Sequence, residues 1–454
     1  MTHVIEHADA LTYLRGNRWL VQNGFIPKAH AIFCDPPYAL PGGFMSKDWD
    51  NFKTPQAFQS WVSEWAGLLI DYVYPGAVGL FFGGTRTYHR LAAGIEEAGW
   101  EIADCLLFAW THGQGFPKST NIERVTSDPR WRGYGSHLKP AWEPIVIARA
   151  PRGKRTYAAL AREFGTGALN VDGSRIGTSV DDPNVRVNTS IDRNGGVWGN
   201  GAQTHRAPTL QQGRWPANFG LVCACEGDDH ADDCPVSVLG RQSGETTSTA
   251  NPRNNSEFKS VAKGYEYAHV THGHDDAGTS ARFFYQAKAA AWEREAGLHG
   301  FAKRPMREPG AEFGKMTMWN GENGDEAWRA KNPNTPRANV HPTVKPIRLA
   351  EYLARLILPP ELDTPRRLLV PFAGSGSEMI GARLAGWDVV TGIEREAEYV
   401  ELAQARVGWW AQFGTYDEAR AAYEKERKAK PAPAPIMVED EKPAQLALFD
   451  GGAA

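Results

Sequence analysis

Residues 367–376 read RLLVPFAGSG, and this stretch decides the fold class. Its apolar start predicts a strand and its two glycines predict a tight turn, while residues 377–385 predict a helix. A further strand is predicted at 388–393 and leads to Glu394, 20 positions beyond the first glycine of the turn. This order and spacing are typical of the nucleotide-binding edge of a doubly wound sheet, although a plain strand, turn and helix would show the same pattern.

Strand and helix patterns also alternate over much of the remaining chain. Strands are predicted at 29–34, 77–82, 101–110 and 144–149, and helices at 56–72, 88–98, 347–358 and 396–410. This alternation predicts an α/β fold with a mostly parallel sheet and helices on both faces. The stretch from about 165 to 280 is rich in Gly, Asn, Ser and Thr and too long for a loop, so it predicts an inserted domain.

The composition argues against membrane and secreted classes of protein. The 454 residues are 42% apolar and 23% charged, as in an ordinary globular protein. No stretch approaches the roughly 20 apolar residues of a membrane helix, and the first residues lack the features of a signal peptide. Five cysteines are too few, and odd in number, for a disulfide framework. We therefore expect a soluble cytoplasmic protein, associated with the nucleoid if it binds DNA.

Charge is unevenly distributed along the chain. The 50 Lys and Arg residues against 53 Asp and Glu give a net charge of −3, so binding to a polyanion requires a local patch. Residues 111–220 hold 15 Lys and Arg against 8 Asp and Glu, a local excess of +7. The middle of the chain is therefore where we expect an anionic partner.

The tetrapeptide Asp35-Pro36-Pro37-Tyr38 is the most specific motif in the chain. With proline near 5% of residues, such a sequence is rare by chance. One interpretation is a turn stiffened by proline, because X-Pro segments are extended or turning. The motif, however, follows the predicted strand at 29–34, and open α/β sheets bind ligands at the carboxyl ends of their strands. Its position therefore favours a functional site.

These motifs and several others together resemble one family. The matching segments are 7–11, 35–38, 83–90, 115–119, 139–144, 282–285, 341–346, 372–376 and 392–394. In this order they are similar to the amino-methyltransferases of DNA, in the group whose catalytic motif precedes the cofactor motif. The match is closest to the modification methylases of bacteria and phages. It implies a class I methyltransferase sheet, which is Rossmann-like and mostly parallel, with permuted motif order.

The resemblance implies methyl transfer from S-adenosylmethionine to an exocyclic amine in double-stranded DNA. The implied catalytic residues are Asp35, Pro36, Pro37 and Tyr38. Asp35 and the Pro36 carbonyl would accept hydrogen bonds from the amine, and Tyr38 would stack on a base flipped out of the duplex. Asp at the first position accompanies N6-adenine methylation, whereas Ser accompanies N4-cytosine methylation, so we expect adenine. The N4 amine of cytosine, an amine in RNA, a protein amide, and a non-catalytic DNA-binding regulator remain alternatives.

The resemblance also implies a cofactor site drawn from both ends of the chain. The residues implied to hold S-adenosylmethionine are Asp9 and Ala10 at the adenine, Glu394 at the ribose, Phe372, Gly374, Ser375 and Gly376 along the nucleoside and methionine, and His341, Thr343 and Lys345 at the methionine carboxylate. If the family resemblance is set aside, Asp9 is interpreted as a helix cap and Lys345 is interpreted as a surface lysine. The family usually carries Asp before the Pro-Phe pair, and here that position is Val370.

The same resemblance suggests four regions. Residues 1–150 are predicted to form the catalytic half of the methyltransferase domain, 151–335 a target-recognition domain, 336–413 the cofactor-binding half, and 414–454 a flexible tail. The basic residues of the recognition range that can contact phosphates or guanine edges are Arg152, Lys154, Arg155, Arg175, Arg186, Arg193, Arg206 and Arg214. They fit a solvated charged surface equally well.

Two further features bear on partners and metals. Cys223, Cys225, His230 and Cys234 are metal-ligand types within 12 residues, but the first pair lacks the usual spacing, so zinc and unligated thiols both remain open. Beyond a proline-rich linker, the tail carries Gln445, Leu446, Leu448 and Phe449. An apolar cluster on a tether needs a binding surface, and this one resembles the peptide that docks on the bacterial sliding clamp. Packing on the protein itself or in a homodimer is the alternative.

Overall fold

A computed structural model provides the structure of the protein. It describes residues 2–40, 48–112, 119–138, 141–176, 186–188, 191–192, 204–205, 209–211, 213–223, 225, 230–232, 234–248, 251–252, 271–272, 276–288, 290–304 and 336–429. The predicted linker and clamp-binding tail, with Gln445, Leu446, Leu448 and Phe449, lie outside the described residues, as do Arg193 and Arg206.

The described residues form strands and helices in alternation. The strands are β1 (Thr2–His7), β2 (Ala29–Cys34), β3 (Val73–Phe82), β4 (Glu101–His112), β5 (Trp142–Arg149), β6 (Arg186–Asn188), β7 (Ile191–Asp192), β8 (Thr204–His205), β9 (Thr209–Gln211), β10 (Phe219–Cys223), β11 (Thr246–Ser248), β12 (Asn251–Pro252), β13 (Thr271–His272), β14 (Asp276–Gly278), β15 (Tyr285–Lys288), β16 (Arg367–Val370) and β17 (Val389–Glu394). The α-helices are α1 (Ala10–Gln22), α2 (Pro55–Tyr72), α3 (Tyr88–Glu97), α4 (Ile122–Thr126), α5 (Tyr157–Phe164), α6 (Pro235–Ser243), α7 (Ala291–Glu295), α8 (Ile347–Leu356), α9 (Ser377–Ala385), α10 (Ala397–Trp410) and α11 (Tyr416–Ala429).

Nine of these strands form one sheet, in the order β1-β17-β16-β2-β3-β5-β4-β10-β15. β5 runs antiparallel to both of its neighbours, and the other pairs are parallel. The prediction of an α/β fold with a mostly parallel sheet is therefore confirmed. Within the described residues, no helix is both long and apolar enough to cross a membrane.

β2 shows why the centre of the sheet reads as a continuous apolar run. All six of its residues are buried, because helices cover both faces. Successive side chains point to opposite faces, so Ala31 and Phe33 join one core cluster while Ile32 and Cys34 join the other. Helices α1, α2 and α3 contribute to the second cluster, and α8, α9 and α10 to the first. The core thus consists of two layers on either side of one sheet.

The carboxyl ends of β2 and β16 lie next to each other. The strands pair in parallel, with Leu368 opposite Ala31 and Leu369 opposite Ile32. From β2 the chain continues to β3 on one side, and from β16 it continues to β17 on the other. The direction of winding therefore reverses between these two strands, and the crevice at such a switch point is where open α/β sheets bind ligands.

Three strands of the sheet differ from the sequence-based expectation. β10 and β15 lie within the 151–335 range that we predicted as a recognition domain, yet they extend the central sheet beyond β4. The sheet also begins with β1, which pairs with β17 and has no counterpart among the predicted strands. β1 is distant in sequence from its partner β17, and β10 is distant from its partners β4 and β15. Local periodicity therefore did not reveal these pairings. The four predicted domain boundaries stay predictions.

Candidate active site

The tetrapeptide at 35–38 lies directly after β2, at the carboxyl end of a fully buried strand. Side chains from outside the turn fix the way the chain leaves it. The buried Asp50 carboxylate accepts hydrogen bonds from the backbone N–H groups of Ala39 (2.7 Å) and its successor (3.1 Å). The Thr87 hydroxyl donates to the Tyr38 carbonyl at 2.5 Å. The sequence-predicted catalytic residues are therefore held in a defined turn at the crevice.

Four side chains, called the Asp35 cluster below, meet at this turn: Asp35, Tyr38, Glu143 and Lys345. The Tyr38 hydroxyl donates to Asp35 Oδ1 at 2.8 Å and lies 3.3 Å from Glu143 Oε2. Lys345 Nζ donates to the Tyr38 hydroxyl oxygen at 2.8 Å and to Glu143 Oε2 at 3.2 Å. It also pairs with Asp35 Oδ2 at 3.2 Å. Three remote segments of the chain are thereby joined around one carboxylate.

The charges of the Asp35 cluster shift each other's pKa. Burial raises the pKa of Asp35; the Lys345 ammonium opposes this shift and the Glu143 carboxylate adds to it. Burial alone would lower the pKa of Lys345, but the Asp35 and Glu143 carboxylates outweigh burial and raise that pKa above its usual range. Lys345 is therefore a permanent cation that favours the ionised form of Asp35.

Aromatic rings enclose the Lys345 ammonium. Its Nζ lies 4.8 Å from the ring centroid of Phe82, 5.1 Å from that of Tyr38 and 6.0 Å from that of Trp110. Ring faces attract a cation, and the Lys345 side chain is only 6% exposed. Because the rings exclude water, the charges of the cluster interact more strongly than they would at the surface.

The glycine turn follows β16. Gly374 and Gly376 have φ values of +52° and +80°, which favour glycine because a Cβ would be strained there. A Cβ on Gly374 would lie 2.7 Å from His341 Nε2. The Glu394 carboxylate closes the turn by accepting hydrogen bonds from the backbone N–H groups of Gly374 (2.7 Å) and Glu396 (2.8 Å). The turn is thus shaped by the backbone and locked by one carboxylate.

Buried polar groups also hydrogen-bond with the glycine turn. The Ser375 hydroxyl accepts a hydrogen bond from Arg406 Nη1 at 2.9 Å, and Arg406 also donates to the Glu293 carbonyl at 3.0 Å. His341 Nδ1 lies 2.7 Å from the Thr343 carbonyl, and burial lowers the pKa of His341 to about 3. The imidazole is therefore neutral near pH 7, with its Nδ1–H donating to the carbonyl and its Nε2 directed at the turn.

Two further predicted cofactor residues, Asp9 and Ala10, lie at the same carboxyl edge of the sheet. Asp9 caps helix α1 by accepting from the Thr12 N–H at 3.0 Å, as the family-independent interpretation expected. It and Ala10 follow β1, whose last residue His7 pairs with Glu394 of β17. They therefore lie beside the Glu394 end of the crevice.

Val370 and Phe372 occupy apolar surroundings. Val370 is completely buried in the core. The Phe372 ring centroid lies 5.7 Å from those of both Trp61 and Trp65. These side chains stabilise the position of the turn by packing, and neither supplies the carboxylate that the family carries before its Pro-Phe pair.

Sequence analysis missed two acidic residues of the site. Glu378 is buried in the first turn of α9, and burial, followed by the Asp35 carboxylate, raises its pKa to about 8. This electrostatic interaction connects the glycine turn with the Asp35 cluster. Glu143 lies within the matched segment 139–144, which was the available signal for its role. For Glu378 the sequence carried no signal beyond an acidic residue after the glycines.

Some of the predicted DNA-contacting residues are engaged with other side chains. Arg152 pairs with Glu101 (3.0 Å), Arg155 with Glu163 (3.3 Å) and Arg175 with Asp172 (2.8 Å). Arg214 is 8% exposed, and its guanidinium lies 5.0 Å from the Phe283 ring centroid. Ion pairing lowers the positive potential of the first three and burial limits the access of Arg214 to a phosphate, so these four contribute less to phosphate binding than their count implies. Their DNA contacts stay predictions.

The geometry defines a class of protein. A parallel sheet carries a glycine turn and an acidic, proline-containing turn on adjacent strands at its switch point, as the resemblance to DNA amino-methyltransferases implies. Comparison with family models agrees: the model N6_N4_Mtase, described as a DNA methylase, matches residues 29–405. The chain therefore belongs to the N6/N4 DNA methylase family, which confirms the resemblance found in the sequence.

Individual relatives are more distant. The Type II methyltransferase M.HindIII of Haemophilus influenzae is 26% identical over 107 residues, which are 22% of this chain and about a third (34%) of that protein. The crystal structure of the M1.HpyAVI-SAM complex shares 14% identity, covers 89% of this chain and 100% of its own, and has a TM-score of 0.34. The cytosine-N4-specific PvuII DNA methyltransferase shares 10% identity over 95% of this chain and 94% of its own, with a TM-score of 0.40.

Proposed function

We propose that this protein transfers a methyl group from S-adenosylmethionine to the N6 amine of adenine in double-stranded DNA. The observation that carries the proposal is the position of the Asp35 carboxylate, at the end of β2, beside the glycine turn at the end of β16. A methyl donor at one turn and an amine held at the other are then neighbours, and such positioning contributes much of the rate of a two-substrate reaction.

The glycine turn has the features that S-adenosylmethionine requires. Gly374 and Gly376 adopt the positive φ angles of a tight turn, and Glu394 places a carboxylate beside this turn that suits ribose hydroxyls. Asp9 and Ala10 lie at the adenine end of this crevice, next to Glu394. When bound, S-adenosylmethionine supplies its methyl group on an electrophilic sulfonium.

Glu378 supplies the carboxylate that Val370 does not. With a pKa of about 8, its buried side chain is mostly protonated near pH 7 when no cation is bound. A cationic ligand at the adjacent turn favours the ionised form. Glu378 therefore becomes charged together with cofactor binding, in place of the Asp that the family usually carries before Pro-Phe.

Asp35 prepares the amine. The lone pair of the amine nitrogen is delocalised into the ring of the base, which makes the amine a poor nucleophile. The Asp35 carboxylate and the Pro36 carbonyl accept hydrogen bonds from the two amine hydrogens, draw the nitrogen toward a tetrahedral shape and direct its lone pair toward the glycine turn. Asp35 then accepts the proton that the nitrogen loses. The nearby Lys345 ammonium favours the ionised form of Asp35 that both tasks require.

The Asp35 cluster must rearrange when a base enters. In the structure, the Tyr38 hydroxyl and the Lys345 ammonium each contact one Asp35 oxygen. The target amine replaces the Tyr38 hydroxyl at Oδ1, which releases the tyrosine ring to stack on the base. The base itself must first be flipped out of the duplex, at a cost of a few kcal/mol.

Incubation with duplex DNA and methyl-labelled S-adenosylmethionine tests the proposal. We expect the label in DNA, and after digestion to nucleosides we expect N6-methyldeoxyadenosine by mass spectrometry. N4-methyldeoxycytidine would contradict the assigned base, and label confined to RNA or protein would contradict the assigned substrate. A complete absence of label would favour the non-catalytic regulator.

A further inference from the structure

Four side chains with metal-binding atoms meet at the carboxyl end of β10. Cys223, Cys225, His230 and Cys234 each offer one ligand atom, and these four atoms all lie within 4.8 Å of one another. None of the three cysteines is in a disulfide. From these residues we propose that the protein binds one structural zinc ion, independently of the methyl transfer.

The distances between the ligand atoms match a tetrahedral zinc site. His230 Nδ1 lies 3.5 Å from Cys223 Sγ and 3.4 Å from Cys234 Sγ. Zinc bonds of about 2.3 Å to sulfur and about 2.05 Å to nitrogen give tetrahedral edges of about 3.6 Å between sulfur and nitrogen. The two sulfur–nitrogen edges agree with this value to within about 0.2 Å, whereas the longest separation among the four atoms, up to 4.8 Å, must shorten by up to about 1 Å to reach the sulfur–sulfur edge of about 3.8 Å.

The donor set identifies both the metal and its role. Three thiolates and one imidazole form a common zinc-binding set, and four protein ligands fill the tetrahedron without leaving a position for a substrate. The site is therefore structural. The C-x-C spacing of the first pair, unusual for zinc, is accommodated because Cys223 ends the strand and Cys225 lies in the segment that follows it.

Local backbone groups position two of the ligands. The Ala231 backbone N–H donates to Cys225 Sγ at 3.4 Å, the kind of second interaction that orients a metal ligand. Cys234 is the N-cap of helix Pro235–Ser243, and its side chain makes no capping hydrogen bond. Its Sγ is therefore not engaged by the helix N–H groups as a cap.

The metal would connect β10 and α6, which meet at a small apolar cluster. Cys223 and Cys234 are buried in a small cluster with Leu221, Val236 and Ala281. A cluster of five buried residues contributes little hydrophobic stabilisation compared with the two main cores. A zinc ion bonded to both the strand and the helix provides the missing cross-link, because metal binding adds directly to the folding free energy.

Zinc content of the purified full-length protein tests the proposal. By elemental mass spectrometry we expect about one equivalent of zinc in the wild type and a tenth of that or less in Cys225→Ser and Cys234→Ser. Cys34→Ser is the matched control. Cys34 ends β2, four strand spacings from β10 in the sheet and so about 19 Å away, and its loss should leave the zinc content unchanged.

Cobalt titration of the wild-type protein tests the same proposal without the cysteine variants, which is needed if a variant does not fold. We expect the metal-free wild type to bind one equivalent of Co²⁺ with the strong visible absorption of a tetrahedral thiolate complex, and Zn²⁺ to displace it. Wild-type protein that takes up neither metal, or that shows zinc content equal to that of Cys234→Ser, would overturn the proposal. So would a disulfide among these cysteines in protein kept under reducing conditions.

Discussion

The two turns at the crevice are held in place by different kinds of interaction. The turn at 35–38 is tied by side-chain charges and hydroxyls, because Asp35 and Tyr38 bond with Glu143 and Lys345 from remote segments. The glycine turn after β16 has no such charge cluster among its own residues; it is shaped by positive φ angles and, like the chain that leaves the first turn, by backbone N–H groups that donate to a carboxylate, here Glu394. Substitutions in the first turn should therefore change the chemistry, whereas those in the second should change cofactor affinity.

Asp35→Ala should have the largest effect. Removing one preorganised polar group at a reacting centre costs on the order of a hundredfold or more in kcat, while the KM for S-adenosylmethionine should stay within a few-fold because the glycine turn is intact. Steady-state kinetics with labelled cofactor measure both parameters. Asp363→Ala, at an exposed position, is the control and should behave as wild type; turnover near normal in Asp35→Ala would contradict the mechanism.

Lys345→Gln should rank next. Without the ammonium, the pKa of Asp35 rises further, because Lys345 is the group that lowers it. The acidic limb of the kcat–pH profile should then move to higher pH by about one unit, with a roughly tenfold loss of rate on that limb. Exposed Lys425→Gln serves as the matched control. An unmoved acidic limb would show that Lys345 does not act through Asp35.

Gly374→Ala should mainly weaken cofactor binding. A left-handed φ costs a non-glycine residue roughly 1–2 kcal/mol, and the new Cβ would lie 2.7 Å from His341 Nε2. We expect the Kd for S-adenosylmethionine, measured by calorimetry, to rise about tenfold. Gly408→Ala, in helix Ala397–Trp410 with open space at its Cβ, should leave the Kd unchanged. Equal Kd values for both variants would remove the distinction between the two turns.

Glu378→Gln should change the pH dependence of stability. Burial raises the pKa of Glu378 from 4.5 to about 8, so the wild type loses stability as pH rises between these values, by at most about 1.4 kcal/mol per pH unit. The glutamine variant lacks this loss. Urea unfolding at pH 6 and pH 8 measures the free energy of unfolding of both proteins. Between pH 6 and pH 8 we expect the wild type to lose more of this free energy than the variant does. Exposed Glu401→Gln should lose as much as the wild type.

The two turns also differ in how far the sequence predicts them. Strand β2 and the helix after the glycine turn occur at Ala29–Cys34 and Ser377–Ala385, where the sequence predicts them. Apolar runs, glycines and the rare tetrapeptide are local signals, and the alternation of elements placed both turns at the carboxyl ends of parallel strands. Local patterns were therefore sufficient for the backbone of the site.

The interactions between distant segments were not predictable in the same way. Glu143 approaches Tyr38 across 105 residues of chain and Lys345 across 307, and nothing in the sequence around either residue specifies its partner. β10 and β15 join the central sheet although they lie in the 151–335 range predicted as a separate recognition domain. The four metal-ligand residues near 223–234 gave a signal that could not be decided without their distances. Pairing at long range depends on the folded topology, which periodicity does not encode.

A structure of the protein bound to S-adenosylmethionine provides the most direct measurement. If the glycine turn holds the cofactor and Asp35 holds the target amine, the sulfonium methyl carbon should lie within roughly 6 Å of the Asp35 carboxylate, because reacting atoms approach to about 3–3.5 Å and a hydrogen bond spans about 3 Å. A methyl group directed away from Asp35, or more than about twice that distance from it, leaves no room for direct transfer and would contradict the arrangement of the two turns.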